Sequence, residues 1–327
     1  MGKTARAIGL LSGGLDSILA VKVIQSQGIE VTGLSFTCPF FSAQPAKKAA
    51  KELNIPLIVK DFTEDHFRIV KNPPHGYGKT MNPCIDCHAL MLKIAGQLMD
   101  SSGFDFIFTG EVLNERPMSQ NRQSLDIVAK TSGYEKYIVR PLSAKFLDET
   151  EPERRGQLNR QALLDIQGRS RKRQISLARE FNVREYPNPA GGCLLTDRAF
   201  SDRLKELLEH NVDPDYFELQ LLRFGRHFRV SEHSKLIVGR DELENGIIEK
   251  FIIENSFLLR TEEVPGPVCL LVGPDAKEHL EEASRICASY SDTKDNTECI
   301  VKCEYADKDR EITVIADRTF RKKGRIN

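Results

Sequence analysis

The apolar run Ala7-Ile8-Gly9-Leu10-Leu11 stops at Ser12-Gly13-Gly14. It is followed at once by Leu15 to Gln27, where Leu15, Ile18, Leu19 and Val23 recur at helical spacing as far as Gly28. An all-apolar run of this length reads as a strand buried on both faces, and the segment after it as a helix packed on that strand. The two glycines let the backbone turn sharply between them. This unit constrains the fold most, because a strand with two apolar faces belongs inside a parallel sheet. The pattern repeats, with strands at Glu30–Phe36, Pro56–Val59 and Phe104–Thr109. Helices lie at Pro45–Leu53 and at Cys84–Met99, the latter opened by Asn82-Pro83. The alternation predicts an α/β fold: a doubly wound parallel sheet with helices on both faces and a ligand crevice beyond the strands' carboxyl ends.

The second half reads differently. Residues 151–182, rich in Arg and Gln, predict a helix, and Tyr186 to Gly192 is a Pro/Gly-rich break before Cys193. Asp197 to Glu209 is an amphipathic helix. Short strands then follow at Lys235–Val238, Val268–Val272 and Glu311–Ile315, with a helix at Ala276–Tyr290. These predict a second, smaller α+β domain, dividing the chain into residues 1–200 and 201–327.

Charge separates the regions. The 327 residues carry 47 Lys+Arg and 47 Asp+Glu, which excludes a uniformly basic nucleic-acid binder. Residues 136–184, however, hold 12 bases and six acids, and residues 221–240 five bases and one acid. The tail from Arg318 has five bases and no acid. Such local patches suit a polyanion. With 40% hydrophobic and 29% charged residues, the composition is that of a soluble globular protein. No apolar stretch approaches the ~20 residues of a membrane span, and no signal-peptide pattern opens the chain, so a cytoplasmic protein is expected.

Ser12-Gly13-Gly14-Leu15-Asp16-Ser17 is where chemistry is expected first. Helix N-terminal N–H groups, two glycines and the Ser12 and Ser17 hydroxyls favour an anion, and Asp16 calls for a Mg²⁺ between it and a phosphate. The alternative is an ordinary βα turn with a serine cap. The hexapeptide resembles the SGGxDS signature of the PP-loop ATP pyrophosphatases, the adenine nucleotide alpha hydrolase-like fold. That resemblance implies ATP cleavage between the α- and β-phosphates and adenylation of a substrate oxygen. It places Ser12, Gly13, Gly14, Asp16 and Ser17 on the phosphates and Phe36 and Thr37 beside the adenine. Thr109-Gly110-Glu111 resembles the family's TG motif near the nucleotide.

Cys84-Ile85-Asp86-Cys87-His88 opens a helix, whose N-terminus is expected to favour thiolates. The spacing alone fits half a zinc site, a redox pair or part of an iron–sulfur ligand set. Asp86 reads as an exposed carboxylate, and His88 as a surface histidine or a fourth ligand. Cys38 is either buried or turned to the nucleotide. Cys269, Cys287, Cys299 and Cys303 read as core residues. Cys193 is the third thiol, since Ala190-Gly191-Gly192 lets its loop fold back to the sheet edge. The three cysteines resemble those of the tRNA-thiolating PP-loop branch. This implies a [4Fe-4S] cluster on Cys84, Cys87 and Cys193 and a sulfur that displaces AMP; the rival is a persulfide on Cys193 with a resolving partner.

Arg169, Arg171, Lys172 and Arg173 supply a basic face for RNA, extended by Arg154, Arg155, Arg179 and Arg184. Arg223, Arg226 and Arg229 alternate with Phe224 and Phe228, which suits base stacking with phosphate contact. The last third resembles the NFACT-type RNA-binding module. Together these readings predict an ATP-dependent tRNA sulfurtransferase that takes tRNA and a sulfur donor, either sulfide or a persulfide carrier. It needs no membrane, and a homodimer is left open. The alternatives are a PP-loop ligase or amidotransferase acting on another adenylated carbonyl, and an RNA-binding protein with a structural metal.

Overall fold

A computed structural model describes residues 4–187, 192–253, 256–305 and 308–326. They form two compact units, 1–196 and 197–327.

In the first unit the order is β1 (Arg6–Leu10), α1 (Leu15–Gln25), β2 (Glu30–Thr37), α2 (Gln44–Leu53), β3 (Leu57–Asp61), α3 (Thr63–Lys71) and α4 (Cys84–Ser102). Then come β4 (Phe106–Phe108), α5 (Arg122–Ser132), β5 (Ile138–Val139), α6 (Glu151–Arg154) and α7 (Lys172–Glu180). The five strands are parallel in the order β3-β2-β1-β4-β5. The order reverses between β1 and β4, and in such sheets that is where the crevice for a ligand opens. Ala7, Phe106 and Phe108 join one core with α1, α2 and Ala178 of α7. α4 packs on β1 and β4 and against α3 and α5. Because α1 is covered by α2 and α7 as well as the sheet, eight of its 11 residues are buried.

The predicted helix over 151–182 is a correction. Only Glu151–Arg154 and Lys172–Glu180 are α-helical, joined by a single 3₁₀ turn at Arg160–Ala162. Gly156 and Gly168 take φ of +67° and +85°, which no α-helix accommodates. The glycine break before Cys193 lies largely outside the described residues.

The second unit runs α8 (Arg198–His210), α9 (Tyr216–Leu221), β6 (Arg226–Arg229), β7 (Lys235–Val238), α10 (Glu242–Ile248), β8 (Ser256–Thr261) and β9 (Cys269–Val272). It ends with α11 (Leu280–Ser289), β10 (Glu298–Tyr305), β11 (Lys308–Ile315) and β12 (Arg325–Ile326). Its strands form one antiparallel sheet, β11-β10-β8-β9-β7-β6-β12. Cys269, Cys287, Cys299 and Cys303 lie in the core between sheet and α11, as expected, the last two by their alternation with apolar residues. Phe228 lies there too, fully buried, and Phe224 packs into the core on the opposite face. The Phe228 ring is therefore not available to stack on a base, which corrects the sequence expectation for it.

One buried group sets a pH limit on the first unit. His66 on α3 is 1% exposed and stacks on Phe62 at 4.8 Å, with Phe40 and Phe41 edge-on. Neither ring nitrogen has a hydrogen-bond partner, and burial lowers its pKa to about 4. Between the ordinary value and about 4 the unfolded chain binds the extra proton, so stability falls as pH drops through that window. Urea unfolding of His66→Leu should remove an acid-side loss on the order of 3 kcal/mol. An unchanged pH profile would disprove it.

Candidate active site

The phosphate loop sits at the reversal of strand order. Gly14 is the N-cap of α1, and no side chain caps the helix. The Ser17 hydroxyl instead donates to the Gly14 carbonyl at 2.8 Å, and Ser12 Oγ lies 3.2 Å from Ser17 Oγ and accepts from Gly14 N. The cap arrangement of an ordinary turn is thus absent here, leaving the dipole's positive end for an anion. Two glycines are fixed by close approach. Gly13 has φ +81°, and a Cβ there would stand 2.4 Å from the Pro45 carbonyl carbon; one on Gly110 would stand 2.5 Å from Ser17 N. The Thr109-Gly110 segment therefore lies directly on the phosphate loop.

Asp16 carries the local electrostatics. Burial raises its pKa, opposed by Arg171 and Arg116, and its Oδ1 is a buried acceptor without a partner. An orphaned carboxylate oxygen beside an anion site fits a Mg²⁺ ligand. Glu115, raised to about 7 by burial and then by the charge of Asp16, completes the group. Sequence reading missed Arg116 and Glu115, which lie in the loop after the TG motif with no periodicity to mark them. Phe36 is buried and packs its ring on Phe62 at 4.9 Å, so only its backbone remains for a neighbouring ligand.

Glu111 joins this site to the cysteines. It is buried, and its carboxylate takes Arg140 Nε at 2.9 Å, the Thr109 hydroxyl at 3.0 Å and His88 Nδ1 at 3.0 Å. Burial alone would raise its pKa; Arg140 and His88 outweigh that and lower it to about 2. His88 follows Cys87 on α4 and shares a helix face with Cys84, four residues away. Asp86 is not the exposed carboxylate expected. It is 4% exposed and accepts from the His75 backbone at 3.0 Å, with His75 Nδ1 at 2.6 Å.

The thiols converge. Cys84 opens α4 and accepts from Asn82 Nδ2 at 3.1 Å. Leu194, next to Cys193, donates its N–H to Phe40 O at 3.0 Å, and Thr80 donates to Leu195 O at 2.6 Å. These bonds pin Cys193 between the end of β2 and the entry to α4. Cys87 lies within electrostatic reach of Cys193, Cys38 and Cys84. Helix-terminal activation does not prevail: burial drives Cys87 well up, Cys193 to about 11 and Cys38 to about 12. All are free thiols. The donor set suits sulfur-ligated iron in kind but not in arrangement, because among the described residues no group of three or more Cys, His, Asp or Glu is placed to hold a metal ion.

The basic residues divide. Arg169, Lys172 and Arg173 are exposed, with Arg173 paired to Asp165 at 2.7 Å. Arg171, with 19% of its side chain exposed, instead faces Asp16 and Glu115. In the second unit Arg223 is exposed. Arg226 lies over the Tyr290 ring at 4.9 Å and donates to Gly239 O. Arg229 and Lys235 share the single carboxylate of Glu206 at 2.6 Å, which ties the Arg229 guanidinium to α8.

A 3-2-1-4-5 parallel sheet with a glycine loop after its first strand defines a doubly wound α/β domain with a ligand crevice at its switch point. Residues 2–149 match the family model described as thiamine biosynthesis protein (ThiI), and residues 225–321 that described as NFACT protein RNA binding domain. The two family models thus match separate stretches of the chain, one in each compact unit. It is 27% identical over 237 residues to tRNA-specific 2-thiouridylase MnmA 2 of Thermoanaerobacter sp. (strain X514), covering 64% of this chain and 61% of that one. It is 29% identical over 160 residues to a protein of Lactobacillus gasseri named Probable tRNA sulfurtransferase, covering 46% and 37%. A crystal structure of a 4-thiouridine synthetase–RNA complex with bound ATP aligns at 21% identity and a TM-score of 0.35, over 43% of this chain and 37% of that chain. The chain therefore spans less than two thirds of these relatives. Among the described residues no helix is long and apolar enough to cross a membrane.

Two outcomes test this geometry. Gly110→Ala should abolish ATP binding in calorimetry while leaving the circular dichroism spectrum native, because its methyl displaces the phosphate loop. Glu111→Gln should destabilise the protein by about 3–5 kcal/mol in denaturant unfolding, since it leaves buried Arg140 without a counter-charge. A loss under ~1 kcal/mol would contradict that pairing.

Proposed function

We propose that this protein is an ATP-dependent tRNA sulfurtransferase. The observation that carries the reading is the junction at Gly110 and Glu111: Gly110 rests on the phosphate loop, while Glu111 holds the histidine next to Cys87. Two consecutive residues thus tie a nucleotide site to a thiol site. That juxtaposition suits a reaction that activates an oxygen with ATP and then replaces it with sulfur. The NFACT-type domain and the exposed Arg169, Lys172, Arg173 and Arg223 support tRNA as the substrate.

In this reading Ser12, Gly13, Gly14 and Ser17 hold the ATP phosphates at the N-terminus of α1, and Asp16 holds Mg²⁺ against them. Mg²⁺ supplies charge neutralisation to the phosphates when bound. A uridine carbonyl oxygen attacks the α-phosphorus; the new P–O bond forms as the bond to pyrophosphate breaks. A sulfur nucleophile from the donor then bonds to the adenylated carbon, and AMP leaves with the C–O bonding electrons. Cys84, Cys87 and Cys193 handle the sulfur. Their high thiol pKa values keep Cys87 and Cys193 protonated at neutral pH until sulfur or a partner arrives.

Purified protein, unmodified tRNA, ATP and sulfide should yield pyrophosphate and a thionucleoside detectable by nucleoside mass spectrometry. Asp16→Ala should lose both products, whereas Cys193→Ala should lose the thionucleoside and keep pyrophosphate release. Pyrophosphate release without any thionucleoside would favour a ligase. Iron and sulfide content of anaerobically purified protein separates a [4Fe-4S] cluster from a metal-free persulfide site.

A further inference from the structure

Cys84 and Cys87 lie on α4 and Cys193 on a turn far along the chain, and the loop between α3 and α4 is bonded to both. Its first tie is to the turn that carries the two thiols. Asp86, buried between them in sequence, accepts from the His75 backbone at 3.0 Å and holds His75 Nδ1 at 2.6 Å. Its second tie is to a sulfur. Asn82 donates from Nδ2 to Cys84 Sγ at 3.1 Å, and its Oδ1 accepts from Thr80 N at 3.1 Å. One amide side chain is thus fixed at both ends. The third tie leaves the loop. The Thr80 hydroxyl stands 2.9 Å from Asn82 Oδ1 and donates to the Leu195 carbonyl at 2.6 Å, a bond between residues 115 apart in sequence.

Leu195 is a firm anchor for Cys193. It is buried in the single 3₁₀ turn Leu194–Thr196, where the Thr196 N–H and hydroxyl both donate to the Cys193 carbonyl, at 3.0 and 2.7 Å. A group that holds the Leu195 carbonyl therefore holds Cys193. Polar contacts run without a break from Cys84 Sγ through Asn82 and Thr80 to Leu195, and they span from the thiol helix to the third thiol. Glycine is required beside them, because a Cβ on Gly78 would stand 2.5 Å from Asn82 Nδ2.

We propose that Thr80 and Asn82 are positioning residues, a clasp that sets the spacing of Cys193 from Cys84 and Cys87. This rests on the sulfurtransferase reading above and concerns its sulfur step alone. Thr80, Asn82 and Leu195 lie outside both the phosphate loop and the Thr109-Gly110 segment, so opening the clasp strikes sulfur transfer and spares ATP cleavage. Thr80→Val keeps the shape of the side chain but takes this donor from the buried Leu195 carbonyl, which frees the Cys193 turn to drift. Misplacing reacting groups by about 1 Å costs on the order of 10²-fold in rate.

Variants of the full chain, assayed with unmodified tRNA, ATP and sulfide, test this. Thr80→Val should lower thionucleoside formation by about tenfold or more and change pyrophosphate release by less than about twofold. Thr80→Ser, which restores the hydroxyl, should bring thionucleoside formation back to within about threefold of wild type. A second readout needs neither ATP nor tRNA. Diamide takes two electrons and two protons from a pair of thiols as their S–S bond forms. Peptide mass mapping should find Cys193 joined to Cys84 or Cys87 in wild type and Thr80→Ser, and the same disulfide forming about tenfold more slowly in Thr80→Val. Gly78→Ala, which displaces the Asn82 amide, should slow that disulfide too and serves if Thr80→Val folds poorly. Equal disulfide rates in all variants, or a Thr80→Ser that behaves as Thr80→Val does, would overturn the clasp. A wild-type chain that makes no thionucleoside would overturn the sulfurtransferase reading, and the disulfide rates would still decide the clasp.

Discussion

The approach of Gly110 to the first turn of α1 governs the first unit. No other residue type fits, because any Cβ would strike the Ser17 backbone. Strand β4 can therefore end against the phosphate loop, and the residue after Gly110, Glu111, is aimed toward His88 of α4. From that point Arg140, Thr109 and His88 follow as partners of one buried carboxylate. The thiol helix is thus located by the same backbone contact that shapes the anion site. The apolar core around α1 would tolerate repacking more readily than this point would.

Much of this was legible in the sequence, for definite reasons. The inner strands β1 and β4 announce themselves as apolar runs, since both of their faces are covered. The core cysteines were legible because thiols such as Cys299 and Cys303 alternate with apolar residues on their strand. The phosphate loop needs only its glycines, hydroxyls and place between strand and helix. Helices α3 and α5 were not anticipated, since charged and polar residues interrupt their apolar spacing. The Arg- and Gln-rich stretch looked helical throughout because both are good helix formers, yet two glycines in positive φ cut it.

Side-chain direction was the illegible part. Charge identifies Arg171 as basic but not as inward-facing; that depends on a bridge between Leu113 and Gln167, far apart in the chain. Asp86 looked like a solvated carboxylate until His75 was seen to fold over it. Arg229 and Phe228 looked like nucleic-acid contacts, yet one answers Glu206 and the other fills the core. In each case a distant segment decides the role, and no local pattern encodes it.

The strand order carries a kinetic implication. The central pair of the parallel sheet joins Ala7 to Phe106, and the phosphate loop meets Gly110 only once that pair has closed. Closing so long a loop is entropically costly, and contacts of this kind form slowly. The anion site can thus exist only once β1 and β4 have paired, not in an emerging chain that still lacks β4. A nucleotide that binds there acts as a late lock, selecting finished molecules and adding its binding energy to the stability of the whole unit.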